Sequence, residues 1–162
     1  MALTQEQIEK FVGAWYYALD VHAPEKDLLA LVTKKPDVHI EFPDSFGDFS
    51  IAGFKKWLER VYHIFFDENH NVVSVEVDGD INAELVKLNV VVAWQASFWM
   101  PPAAKSRRTS MNATQDWIVR ATDDNEYGVE IVSYVAAPPG KGFQYAPGFA
   151  PLANIAPLDP RA

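Results

Sequence analysis

Apolar residues recur every three or four positions in the first third of this chain and every second position in much of the rest. Ile8, Phe11, Val12, Trp15 and Leu19 follow helical spacing and predict one amphipathic helix. Thr4-Gln5-Glu6-Gln7 before them reads as a capping box, a hydroxyl at the cap and an amide three residues on. Pro24 suits the first position of a second helix, with Glu25 and Asp27 in its first turn. Leu28, Leu29, Leu31 and Val32 would be its core, and Lys34-Lys35-Pro36 its end. Val38, Ile40 and Phe42 alternate with His39 and Glu41, predicting a short strand that Pro43 stops. After the loop DSFGDFS, Phe54, Trp57, Leu58, Val61 and Phe65 mark a third helix.

The period then changes to two. Val73, Val75 and Val77 alternate with polar residues, and strands follow from about Ala83 to Trp99, Arg107 to Thr122 and Val129 to Ala136. His22 and His70 fall in linkers, His63 in a helix. Helices first and strands afterwards predict an α+β fold, a curved antiparallel sheet packed on three N-terminal helices. One domain, 1–137, is expected. Beyond it, 138–162, the sequence is Pro-rich and aromatic, without helical or strand periodicity, and an extended tail is expected there. Phe143, Tyr145, Phe149, Leu152 and Ile155 suggest that it lies along its own domain or a second subunit.

Composition narrows the function classes. With 162 residues, 49% apolar and 22% charged, the chain has the balance of a globular domain with a substantial core. Its net charge of −8 argues against nucleic acid as the main partner, because phosphate backbones call for clustered Lys and Arg. Cysteine is absent, which excludes disulfides, thiol nucleophiles and cysteine-ligated zinc. The first residues, MALTQEQIEK, do not resemble a signal peptide, and no apolar run is long enough to span a membrane. A cytoplasmic location is the corresponding expectation. No HExxH spacing, P-loop, GxGxxG or GxSxG occurs, so neither a metal nor a cofactor is expected.

The stretch TQDWIVR, residues 114–120, holds the most conspicuous candidate. Asp116 lies among residues of strand-like, apolar character, and a carboxyl deprived of water becomes a poised acid or base. Alternation puts Asn112, Thr114, Asp116 and Ile118 on one face of the strand. Gln95 belongs to the corresponding polar face of the preceding strand, while Trp94, Phe98 and Trp117 are assigned to the other. Periodicity alone makes the polar face the wet, outer one, where Asp116 would pair with Arg120 or Lys87. His39 and Glu41, two residues apart, are a weaker candidate acid–base pair.

The segments FVGAWYYALD, PDVHIEFPDSFGDFSIAGFKKWLERV, TQDWIVR and VEIVSYVA, in this order and spacing, resemble the nuclear transport factor 2-like superfamily. That superfamily includes SnoaL-type polyketide cyclases and ketosteroid isomerases. The resemblance spans about Thr4 to Ala136 and implies a cone whose helices close over an apolar cavity. It turns the face of Asp116 inward and casts Asp116 and Tyr134 as catalytic groups. Trp15, Phe42, Trp57, Gln95, Thr114 and Ile118 would line the pocket for a small apolar ligand. Trp94, Phe98 and Trp117 are left for a homodimer interface. Phe42 and Trp15 stand where ketosteroid isomerases carry their base and an oxyanion-binding tyrosine, so steroid isomerisation is not implied. Two classes stay open: an isomerase, cyclase or dehydratase acting without a cofactor on an oxygenated apolar compound, and a non-catalytic ligand-binding or oligomerisation module.

Overall fold

The computed structural model describes residues 2–42, 47–99 and 102–136. The first helix, α1 (Gln5–Asp20), starts at the capping box: Thr4 Oγ1 accepts from Gln7 N at 3.1 Å, and Gln7 Oε1 accepts from Thr4 N at 3.4 Å. Its buried face is Ile8, Phe11, Val12, Trp15, Tyr16 and Leu19. The second helix, α2 (Glu25–Leu29), is shorter than its leucines suggested. The chain leaves it to join the sheet, where Thr33 N donates to Ile131 O at 2.8 Å and Ile131 N to Leu31 O at 2.9 Å. After the strand β1 (His39–Glu41) comes α3 (Ile51–Ile64), capped by Ser50 Oγ accepting from Gly53 N at 3.3 Å. A side chain at Gly53 would collide with the backbone oxygen of Asp48, so only glycine lets this helix start so close to the loop before it.

Four strands follow: β2 (Phe65–Asp78), β3 (Val86–Phe98), β4 (Arg107–Ala121) and β5 (Val129–Ala136). They pair antiparallel in sequence order, and β1 joins the far edge parallel to β5, giving the order β1-β5-β4-β3-β2. The α+β class and the helix-then-sheet order are those read from the sequence; the parallel pairing of β1 is new. The expected tail, 138–162, lies outside the described residues.

Two differences from the sequence reading matter for function. The first is the length of β2, which begins at Phe65 rather than near Val73 and so takes in the polar run Asp67–Asn71. A register shift between Phe66 and Asn69, with Asp67 at φ 49°, bends the strand there.

The second is the facing of β3 and β4. Leu88 pairs with Trp117, Val90 with Gln115 and Ala96 with Thr109, and all six side chains are buried. Trp117 is 1% exposed and Phe98 3%, so both belong to the core and not to an outer subunit interface. Trp94 lies half-buried against that core. The opposite face carries the pairs Asn89–Asp116, Val91–Thr114, Gln95–Ser110 and Lys87–Ile118. Alternation fixes that there are two faces, and burial of the indoles decides which is inside. Asp116, Thr114, Ile118 and Gln95 therefore point away from the core, opposite to the direction the resemblance implied.

Candidate active site

Inside the sheet, where α1 crosses it, a polar cluster interrupts the apolar core. Tyr16, on α1, donates its hydroxyl to Gln115 Oε1 at 2.8 Å. The Tyr134 hydroxyl lies 3.4 Å from that of Tyr16. Tyr16 has spent its one proton on Gln115, so Tyr134 is the donor between them. All three side chains are buried. The indole nitrogens of Trp15 and Trp117 are buried here too, and neither makes a hydrogen bond of full geometry. Each indole acts weakly on a phenol, Trp117 on Tyr16 and Trp15 on Tyr134, in the direction that favours the charged form. Burial outweighs this influence. It pushes Tyr16 well above the ordinary phenol value, helped by the proximity of Tyr134, and Tyr134 to about 12. Both phenols are donors at neutral pH, and with the two indoles they make the cluster rich in N–H and O–H and poor in acceptors.

Tyr16 leads outward to a second set. The His70 ring, on β2, stacks on the Tyr16 ring at 5.0 Å between centroids. Its Nδ1 lies 2.6 Å from Asp20 Oδ1, and Asp20 Oδ2 accepts the His70 backbone N–H at 3.1 Å. An ionised carboxylate only accepts, so Nδ1 carries the proton and Nε2 of the neutral ring is left as a base. Asp20 grips strand and ring together. His70 is 12% exposed at its side chain, enough for proton exchange with water. On the other side of Tyr134 the cluster is walled by rings: Phe42 stacks on Trp57 and Trp15 on Phe54, with interplanar angles of 10° and 26°.

The residues singled out from sequence are thus divided. Trp15, Phe42, Trp57 and Tyr134 come together on the inner side. Asp116 lies half-buried on the outer face, where Asn89 Nδ2 donates to its Oδ1 at 3.2 Å, and Gln95, Thr114 and Ile118 share that face. His39 and Glu41 bond each other at 3.2 Å on β1. Tyr16, Gln115, Asp20 and His70 were missed. Tyr16 and Gln115 stand one residue from positions that were weighed, Trp15 and Asp116. His70 lies in the half of β2 that has no apolar alternation to reveal it. Among the described residues, no group of three or more His, Asp or Glu is arranged to hold a metal. No helix among them is long and apolar enough to cross a membrane. Clefts of about 410, 440 and 520 Å³ open near the start of α1, and their linings share no residue with the Tyr16–His70 set.

The raised phenols carry a pH consequence. In the folded chain Tyr16 and Tyr134 bind their protons more tightly than an unfolded tyrosine does near pH 10. The stability they contribute is complete below pH 10 and is lost as pH climbs from about 10 towards the folded value of about 12 for Tyr134. Burial also raises Tyr62, to about 12, and Tyr127, so phenolate absorbance followed against pH should show Tyr16 and Tyr134 among the tyrosines that ionise late, these two together with unfolding. Early ionisation of all six tyrosines in a folded protein would contradict the burial described here.

No protein-family model matches the sequence, and no curated protein matches it. Solved structures do match. One assigned as a scytalone dehydratase from Novosphingobium aromaticivorans aligns with a TM-score of 0.66 at 16% identity, over 90% of this chain and 93% of the other. One assigned as a dehydratase of the NTF2-like family from Streptomyces avermitilis aligns at 0.65 and 15% identity, over 82% and 94%. The hub of CaMKII from S. rosetta aligns at 0.63 and 11% identity, over 85% and 98%. Identities this low establish architecture and leave chemistry to the residues. The protein has the nuclear transport factor 2-like fold, an α+β cone of a curved sheet closed by N-terminal helices.

Proposed function

We propose that this protein is an acid–base catalyst acting without a cofactor on a small, largely apolar compound that carries a carbonyl or phenolic oxygen. The observation that carries this reading is the pairing of His70 with Asp20 directly against Tyr16, whose hydroxyl opens the buried donor cluster. A substrate oxygen that replaces the Tyr16 oxygen as acceptor for the Tyr134 hydroxyl, beside the indole N–H groups of Trp15 and Trp117, would be polarised by donors already in place. His70 Nε2 would then take a proton from the carbon beside the carbonyl, and the C–H electron pair would move onto the oxygen as an enolate. Return of that proton from His70 to a different carbon completes an isomerisation. Its delivery to a β-hydroxyl, which leaves as water while the enolate collapses, completes a dehydration. The stacked rings of Phe42, Trp57, Trp15 and Phe54 suit a flat, cyclic skeleton.

The other reading, a ligand-binding module without chemistry, draws on the fact that Tyr16, Gln115 and Tyr134 already satisfy one another. Deuterium separates the two. Incubated in D₂O with 1-tetralone and 4-hydroxy-2-tetralone, the protein should catalyse exchange at the carbon beside the carbonyl, or loss of water, above the rate in buffer. Saturable binding of both ketones with no exchange and no dehydration would leave only the binding module.

A further inference from the structure

Next to the Asp20–His70 pair lies a second histidine–carboxylate pair with the polarity reversed. His22 comes from the turn after α1, and Glu68 comes from β2. His22 Nε2 lies 2.8 Å from Glu68 Oε1, and the other oxygen, Oε2, accepts from Trp94 Nε1 at 3.1 Å. His22 stands at φ 50°, a left-handed conformation that a non-glycine residue keeps only where its surroundings hold it. They do so here. Its ring stacks on Tyr62 of α3 at 4.3 Å and 14°, and the Tyr62 hydroxyl donates to Ala23 O at 2.8 Å, locking the same turn. Three elements of the fold converge on one imidazole that the chemistry above does not use.

What the pair restrains is Glu68. Its side chain is 8% exposed, so its carboxylate needs donors on both oxygens. Glu68 and His70 are two residues apart on one strand, and both reach towards the end of α1, Glu68 to His22 and His70 to Asp20. Trp94 touches both, donating to Glu68 and lying 6.2 Å, ring to ring, from His70. Deprived of His22, Glu68 would turn to the donors left around it, and the one that matters for the chemistry is the imidazole of His70, which shares Trp94 as a neighbour. A bond from Glu68 to Nε2 would hold a second proton on that ring and remove the lone pair on which base chemistry depends.

We propose that His22 is a positioning residue: by occupying Glu68, together with Trp94, it keeps that carboxylate off His70 and leaves Asp20 as the only acid that the catalytic imidazole serves. The inference rests on the reading of His70 as the proton acceptor, and its test looks at the state of His70 whether or not that reading holds. The protein is labelled with ¹⁵N-histidine, and the His70 signals are assigned by their loss in His70→Gln. At a pH where His70 is neutral in the unaltered protein, its signals should report a protonated Nδ1 and a bare Nε2. In His22→Ala they should move to the doubly protonated form. His22→Gln, whose amide can still donate to Glu68, should retain the original signature. The double variant His22→Ala/Glu68→Gln should restore it, because the competing charge is gone. If His22→Ala does not fold, Trp94→Phe frees the other Glu68 oxygen and should shift His70 the same way. An unchanged His70 in the single variants, or a shift that Glu68→Gln fails to reverse, overturns the proposal. Failure of the exchange assay with an intact His70 signature would instead count against the catalytic reading alone.

Discussion

His70→Gln is expected to slow deuterium exchange beside the carbonyl by about 10²- to 10⁴-fold, the usual contribution of a positioned general base. The substitution is chosen to keep the fold. A glutamine amide can donate to Asp20 much as the imidazole Nδ1 does at 2.6 Å, and the backbone bond from residue 70 to Asp20 is untouched. The loss of stability should therefore stay within about 0.5–1.5 kcal/mol, one ordinary hydrogen bond. What disappears is the lone pair on Nε2. Asp116→Asn provides the contrast. That carboxyl lies on the outer face beside Asn89, so its neutralisation should leave the exchange rate within about a factor of two, in line with the small effects of surface changes. A His70→Gln protein that exchanges at full rate, or an Asp116→Asn protein that does not exchange at all, would reverse the assignment of faces and roles.

Arg120→Met is expected to cost about 3–5 kcal/mol, the range found when one partner of a buried ion pair is removed. Arg120 donates from Nε and Nη2 to Glu130 Oε1 at 3.0 and 2.9 Å, from Nη2 to Thr33 Oγ1 at 2.9 Å and from Nη1 to Asp37 Oδ2 at 3.0 Å. Its hydrogen bond to Asp37 holds that carboxyl below its usual value. These contacts tie β4 and β5 to the segment that leaves α2. Without the guanidinium, the Glu130 carboxylate, 7% exposed, is left without its cation. Arg120→Met/Glu130→Leu removes both charges and should recover most of the loss, since an apolar pair of similar volume often replaces a buried ion pair at little cost. Urea unfolding of the three proteins measures this. A single variant that loses less than about 1 kcal/mol, or a double variant less stable than the single, would show that Glu130 is not charged and dependent on Arg120.

The elements that the sequence reveals most clearly are those whose side chains carry a strong period. α1 is legible from its five apolar positions and its capping box, both present in the structure. The hairpin of β3 and β4 is legible from its long alternation. The first half of β2 is not, because Asp67 to Asn71 offers no apolar face, and tertiary contacts with α1 recruit it into the sheet. α2 ends early for a related reason: Leu31 and Thr33 gain backbone partners in Ile131, 98 or more residues along the chain, which no local pattern announces. TQDWIVR was the most informative stretch and also the most misleading. Its alternation is real, yet the resemblance turned the acid inward, whereas the indole of Trp117 is the larger apolar group and takes the core.

By itself, then, the sequence determined the class of fold, the order of its elements, and the presence of one polar and one apolar face on each long strand. These depend on periods of side chains along a backbone, and a period is a local property. Only the tertiary structure decided which face is interior, and that Asp20 and His22 meet residues 50 and 46 positions away to form two crossed acid–base pairs. The meeting depends on the bend in β2 and the path of α1 across it, and these are set by the packing of the whole core rather than by any stretch of the chain.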